Sequence, residues 1–294
     1  MTRYPDIALE GARVLVTGAG RGIGRATANA FAARGADVAL ADLDRGAVEH
    51  AAAGIGTAHV LDVRSRTAWD ACVADVGAID ILVNNAGVMP VGGFLDEPDA
   101  TGEMTIDVNV WGPIHGMRAV VPGMIGRGRG HVVNVASLAG KIAIPGLAVY
   151  NASKFAAVGL SATARLEFAD HGVSVSTVLP SAVRTTLTSG IPLGKGLPTV
   201  DPEDIADAIV RTVRTRRAET PVPGYLAALD VGLAVAPERL VRWIRRAVGG
   251  ERALTRVDPT ARADYDARLR RDENRGEQTG QPNSTPCARG SSSE

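Results

Sequence analysis

Two cysteines, Cys72 and Cys287, are all that the 294 residues contain. They are too few and too far apart for a disulfide framework or a thiolate zinc site. Aromatic residues make up only 4%, which excludes a base-stacking platform for single-stranded nucleic acid. Neither sign of charge is in excess, since Lys+Arg and Asp+Glu each total 32. No general electrostatic attraction to nucleic acid is therefore available, and none is expected as a partner. The histidines (His50, His59, His115, His131, His171) show no ligand-like spacing, so no metal site is expected. No apolar run reaches the ~18 residues needed to cross a bilayer. The opening residues hold no apolar signal core, and the expected location is the cytoplasm.

What the chain has in quantity is glycine, 34 residues, and short apolar runs separated by amphipathic stretches. Val14–Val16, Val38–Ala41, Ala58–Leu61, Ile79–Val83, His131–Val135 and Val173–Val178 read as six strands. Helical patterns stand between them, so the connections are βαβ crossovers and the sheet is parallel. Continuous apolar runs, rather than alternation, fit strands buried on both faces. The expected fold class is α/β, a doubly wound parallel sheet with helices on both faces. Long helices are expected over about 103–124 and 149–170, the first broken near Pro113 and Pro122. Another begins at Asp201-Pro202-Glu203, with an N-cap acid and proline at the first helical position.

Thr17-Gly18-Ala19-Gly20-Arg21-Gly22-Ile23-Gly24 follows the first strand and opens a helix. Backbone without Cβ atoms can approach a pyrophosphate closely here, and the helix N-terminus supplies amide donors. Asp42 ends the second strand, where an acid bonds the adenosine ribose. Its carboxylate would repel a 2′-phosphate, which favours NAD. Arg21 is the contrary signal, since a cation in this turn can pair with that phosphate. NADP therefore stays open as the less favoured cofactor. Asp62-Val63 and Asn84-Asn85-Ala86-Gly87 end the third and fourth strands, on the ligand-binding edge of such a sheet. Their order suits an adenine contact followed by a nicotinamide-ribose contact.

Ser137 follows the fifth strand, and Tyr150 and Lys154 share one face of the next helix. Removing the hydroxyl proton of an alcohol while its carbon gives up hydride needs a base. A free tyrosine, with pKa about 10, is a poor one at neutral pH. A neighbouring Lys154 ammonium would stabilise the phenolate, and Ser137 would hold the substrate oxygen. Asn109, in the helix before the fifth strand, is a candidate for a water-linked proton path. An Asn satisfying backbone at a helix irregularity is compatible with that role.

These residues, in this order and spacing, resemble the short-chain dehydrogenase/reductase family over about Gly11 to Gly224. The resemblance implies a single Rossmann-fold catalytic domain over 1–224. It also implies Tyr150 as acid/base with Ser137, Lys154 and Asn109 as partners. It further implies dinucleotide contacts from Gly18, Arg21, Gly22, Ile23, Gly24, Asp42, Asp62, Val63, Asn85, Ala86, Gly87, Tyr150 and Lys154. The family's Pro-Gly turn after the sixth strand stands here as Pro180-Ser181, with Val183 and Thr185 as nicotinamide contacts. A homodimer or homotetramer is the assembly implied.

The apolar stretches around Met89, Leu138–Leu147 and Thr186–Pro198 suit a hydrophobic secondary alcohol or ketone. Lys141 and Lys195 are the exceptions, read as snorkelling to solvent. The alternatives are a silent NAD-binding regulator, an acyl or 3-oxoacyl reductase using NADPH, and a sugar-nucleotide epimerase or dehydratase. Intact Ser137, Asn109, Tyr150 and Lys154 argue against the regulator, and the residues after the sixth strand are too few and too apolar for the epimerase. Residues 225–257 are expected to form an apolar and basic amphipathic extension. Its 225–248 part is a candidate for peripheral contact with an anionic membrane. Residues 258–294, polar and charged, are expected to be a disordered tail.

Overall fold

Short apolar segments form the strands β1 (Arg13–Thr17), β2 (Asp37–Asp42), β3 (Gly56–Val60), β4 (Ile81–Asn84), β5 (Gly130–Val135) and β6 (Val173–Pro180). In the computed structural model, which describes residues 4–191, 199–226, 239 and 257–279, a further strand β9 (Glu219–Val222) completes a seven-stranded sheet of order β3-β2-β1-β4-β5-β6-β9. Every pairing is parallel. The chain runs outward from β1 to β3, then returns to β4 beside β1 and proceeds the other way. That reversal leaves a crevice at the carboxyl ends of β1 and β4, where ligands bind in open α/β sheets. Two-residue strands β7 (Ala182–Val183) and β8 (Thr199–Val200) pair separately.

Both faces of the central strands are covered, as continuous apolar runs require, while the edge strand β3, expected to be buried, is mostly exposed. Val14 and Val16 point to one side with Phe31, Leu40, Ile205 and Ile209. Leu15 points to the other with Trp69, Leu82, Met117 and Val132. The first side is built by helices α1 (Gly22–Ala32), α2 (Arg45–Ala52) and α7 (Pro202–Thr215). As expected, α7 starts at Asp201, whose side chain forms a capping box with Asp204. The second side is built by α3 (Arg66–Val76), α5 (Gly112–Gly126) and α6 (Ala148–Phe168).

The expected break in the helix over 103–124 takes a definite form. Helix α4 (Asp99–Ile106) passes through a π-helical stretch, Asp107–Trp111, before α5 restarts with Pro113 in its first turn. Asn109 lies in that stretch. Glycines let α5 sit low on the sheet: a Cβ on Gly116 would fall 2.6 Å from Asn84 Oδ1 and 2.8 Å from the Trp69 ring.

The expectation of a disordered tail from 258 is corrected for its described part. Helix α8 (Pro259–Thr279) packs against the domain. Tyr265 and Leu269 are buried with Met104, and Arg262 is buried to 2% exposure. The cause is a set of bonds to distant backbone. Arg262 donates to the carbonyls of Leu187 and Ser189 at 3.2 Å and also to that of Met89. Residues 280–294, most of the extension over 227–256, Lys195 and the rest of the 192–198 loop lie outside the described residues. Among the described residues no helix is long and apolar enough to cross a membrane.

Candidate active site

The turn after β1 is shaped by contacts that only glycine permits. Gly18 has φ +63°, and a Cβ there would come 2.8 Å from Ala86 Cα. A Cβ on Gly24 would collide with the Gly18 carbonyl oxygen. Thr17 and Asn85 lock this turn to the end of β4. Thr17 Oγ1 accepts from the Asn85 and Ala86 amides at 3.0 and 3.1 Å. Asn85 Nδ2 donates to the carbonyls of Thr17 and Gly18 at 2.9 and 3.2 Å. The Asn85 Nδ2 group is thus committed to the shape of the cradle, while the residue still lines the cavity. The cradle itself, a Cβ-free turn at a helix N-terminus, fits a pyrophosphate.

Asp42 is held with both oxygens occupied, accepting from the Gly20 amide at 2.9 Å and the Asp44 amide at 3.0 Å. Arg21 pairs with Asp44 at 2.7 Å and holds the Asp44 carboxyl below its usual range. Asp62 is gripped by Arg64 through bonds of 2.9, 3.1 and 2.7 Å. Arg64 in turn donates to the Asp272 carbonyl of α8 at 3.1 Å. The adenosine end is therefore a network of paired charges.

The chemical end lies across the same crevice. Ser137 ends the run out of β5 and its Oγ accepts from the Ala139 amide at 3.1 Å. Helix α6 presses directly on the turn that follows, since a Cβ on Gly140 would meet the Lys154 carbonyl at 2.6 Å. That contact brings Tyr150 and Lys154 beside Ser137. Both side chains are buried, and Lys154 Nζ sits 5.7 Å from the Tyr150 ring centroid while donating to the Val135 carbonyl at 3.2 Å. Burial pushes the Tyr150 phenol up to about 12, opposed only in part by its hydrogen bond with Ser137. Burial lowers Lys154 to about 8. In the protein without dinucleotide, burial sets the direction of both shifts, up for Tyr150 and down for Lys154.

Asn109 is buried and wholly engaged. Its Oδ1 accepts from the Val88 amide at 2.9 Å, and its Nδ2 donates to the Val88 carbonyl at 2.9 Å and to Ser153 Oγ at 3.0 Å. Its side chain pins the segment after β4 to the π-helical stretch and so satisfies backbone at the helix irregularity.

One cavity of about 1100 Å³ joins the two ends. Its wall includes Gly18, Arg21, Gly22, Ile23, Asp42, Asp62, Val63, Asn85, Ala86, Gly87, Ser137, Tyr150, Lys154, Pro180, Val183 and Thr185. Gly24 and Asn109 stand behind that wall. Ser181, which replaces the family's glycine, causes no distortion, because Arg216 is the only non-glycine with positive φ among the described residues. The substrate end is apolar, with Met89, Leu138, Ile142, Ile144, Leu147, Leu187 and Ile191. Lys141 does not simply reach solvent, for its Nζ pairs with Glu219 at 2.9 Å.

Two contributions were not foreseen. Asn151 pins the substrate loop by donating to the Ala139 and Ile142 carbonyls at 2.6 and 2.7 Å and accepting from the Ile144 amide. Its place one turn into α6, next to Tyr150, was the available signal. From α8, Tyr265, Arg268, Leu269, Arg271 and Asp272 also line the cavity. Nothing local in that polar segment marks them.

Residues 12–195 match the short chain dehydrogenase family. The chain is 34% identical over 248 residues to estradiol 17-beta-dehydrogenase 11 of Pongo abelii, covering 80% of this chain and 82% of that one. It is similar to a short chain dehydrogenase/reductase of Burkholderia phymatum solved in complex with NAD (TM-score 0.69, 27% identity, 76% and 93% of the two chains). It is also similar to a short chain dehydrogenase of Burkholderia cenocepacia solved in complex with NADP (TM-score 0.73, 26% identity, 81% and 98%). The chain belongs to the short-chain dehydrogenase/reductase family and is an oxidoreductase of the NAD(P)-using kind.

Proposed function

We propose that this enzyme interconverts a hydrophobic secondary alcohol and its ketone, with Tyr150 as acid/base and NAD as the preferred cofactor. The observation that carries the reading is the single cavity lined both by the glycine turn and by Ser137, Tyr150 and Lys154. When bound, the oxidised dinucleotide supplies a hydride acceptor whose positive ring opposes the effect of burial on the phenol. Tyr150 takes the hydroxyl proton of the alcohol in oxidation and returns it to the carbonyl oxygen in reduction. Ser137, bonded to Tyr150, holds the same substrate oxygen. Lys154, anchored on the Val135 carbonyl, keeps a positive charge on the phenol's side of the site.

Asp42 supports NAD, because its carboxylate is fixed by two amides at the adenosine end. Arg21, already paired with Asp44, is a weaker counter-argument than a free arginine. The apolar lining supports a bulky substrate of low polarity, in keeping with a relative named as an estradiol 17-beta-dehydrogenase. Exposed Trp111, Phe155 and Leu166, on the π-helical stretch and α6, support self-association of copies through this side.

The test is a dehydrogenase and reductase screen with both cofactors over steroid, retinoid, acyl and simple ketone substrates, run on the native enzyme and on Tyr150→Phe. Turnover should vanish in the variant while NADH fluorescence still titrates. Undiminished turnover would remove Tyr150 from the mechanism.

A further inference from the structure

Helix α8 brings a cation to the mouth of the cofactor crevice. Arg268 is half-buried and lines the cavity together with Gly18, Arg21 and Gly22. Its Nη2 donates to Thr186 Oγ1 at 3.3 Å, and its guanidinium lies 5.4 Å from the Tyr265 ring centroid. No ion pair joins it to another described residue, whereas Arg262, on the same helix, pairs with Asp266 at 3.1 Å. Burial acts first on its charge, then Arg21, Tyr265, Asp272 and Asp42, so it stands between Tyr265 and the glycine-turn end of the crevice.

The neighbours triangulate its position. Thr185 faces the glycine turn, since a Cβ on Gly22 would lie 3.3 Å from Thr185 Cγ2. Thr186, the next residue, holds Arg268. The guanidinium thus stands across from the first turn of α1, whose N-cap residue Arg21 supplies no side-chain cap. Helix amides offer an anion partial positive charge from one side only. Arg21 itself is drawn to Asp44, so a full counter-charge for an anion at this turn must come from elsewhere.

We propose that Arg268 binds the pyrophosphate of the dinucleotide from the C-terminal helix, closing the site opposite the glycine turn. The proposal rests on the dinucleotide reading above. A planar guanidinium with several donors suits two adjacent phosphates. The 2′-phosphate of NADP is the other anion of the same chemistry. It is disfavoured because the Asp42 carboxylate, fixed by the Gly20 and Asp44 amides, occupies that end and would repel it. The consequence is that α8, outside the segment matched to the family, belongs to the cofactor site as well as to the substrate chamber.

The experiment measures binding, not turnover, on the full chain. NADH and NADPH are titrated by fluorescence, and ADP-ribose and adenosine by calorimetry, on the native protein, Arg268→Gln and Arg268→Lys. Loss of a charge-assisted bond should weaken NADH and ADP-ribose about tenfold or more in Arg268→Gln. Arg268→Lys should recover part of that loss, and adenosine affinity should not change. Unchanged ADP-ribose affinity would overturn the proposal, as would a loss confined to NADPH. An equal loss for adenosine would also overturn it, because the effect would then be collapse of α8. Failure of the native protein to bind any dinucleotide would sink the cofactor reading itself, a separate result.

Discussion

The hydroxyl of Tyr265 accepts a 2.7 Å hydrogen bond from the main-chain amide of Met89, 176 positions earlier in the chain. Burial pushes the Tyr265 phenol well above its ordinary range, so it stays neutral and keeps this bond at any working pH. The bond fastens the C-terminal helix to the segment that leaves the sheet beside the catalytic crevice. Tyr265→Phe keeps the apolar ring but leaves a buried N–H without its acceptor, at a cost of about 1–3 kcal/mol. Urea denaturation should show that loss, and Met89 should exchange its amide hydrogen faster. Unaltered stability and exchange would mean that water replaces the phenol there.

Lys154 makes a stability cost visible. Its folded-state pKa is about 8 against an ordinary value of 10.5, because burial penalises the ammonium. The unfolded chain therefore binds this proton more tightly than the folded one. The penalty is full below about pH 8 and fades as pH rises toward 10.5, where neither state is charged. Its size at neutral pH is on the order of 3 kcal/mol. Lys154→Met should accordingly melt at a higher temperature than the native protein at about pH 7. The advantage should shrink between about pH 8 and 10, while turnover is lost. A variant less stable at neutral pH would show that the Val135 bond outweighs desolvation.

Where chemistry dictates residue types at fixed spacing, the sequence is legible. The glycine turn, Asp42, Ser137, Tyr150 and Lys154 all belong to that class, and they meet in one cavity. Strands buried on both faces also read easily, as β1, β4, β5 and β6 show, whereas β3 is a mostly exposed edge strand. Strand β9 does not read that way. Glu219-Thr-Pro-Val is short and polar, and its proline is tolerated because β9 pairs with β6 alone at the sheet's edge. Helix α8 is the larger omission. Among charged residues, Tyr265 and Leu269 give too weak an apolar stripe to announce packing. Its anchor, Arg262, is a buried charge satisfied by carbonyls of Met89, Leu187 and Ser189. Those contacts are non-local, and composition points the opposite way. The hydrogen bonds of Asn85 and Asn109 were equally hidden, because a polar side chain facing a crevice reads the same whether it binds ligand or backbone.

Asp42 offers a test of cofactor choice that spares the loop. Replacing it by alanine would free the Gly20 and Asp44 amides together and confuse charge with shape. Asp42→Asn keeps one acceptor and removes the charge. At about 5 Å and an effective dielectric near 20, a unit charge acts on a 2′-phosphate by roughly 3 kcal/mol before screening. The ratio of kcat/KM for NADP over NAD should therefore rise at least about tenfold, equivalent to roughly 1.4 kcal/mol. An unchanged ratio would show that this carboxylate does not read the ribose.

Gly24 tests whether the cradle depends on close backbone approach. An alanine methyl would run into the Gly18 carbonyl oxygen and sit 2.6 Å from Asn85 Nδ2. The carbonyl must move, and the Asn85 tie that holds it to β4 breaks with it. Gly24→Ala should cost about 1–3 kcal/mol in overpacking, and its NADH affinity should fall by more than the loss of stability explains at saturating folded protein. Gly159→Ala is the matched control, since a methyl on that helical glycine would meet nothing within 4 Å. It should raise stability by about 0.5–1 kcal/mol, as alanine does inside a helix, with cofactor binding untouched. Equal behaviour of the two variants would mean that the turn relaxes freely, and that the helix N-terminus alone positions the phosphates.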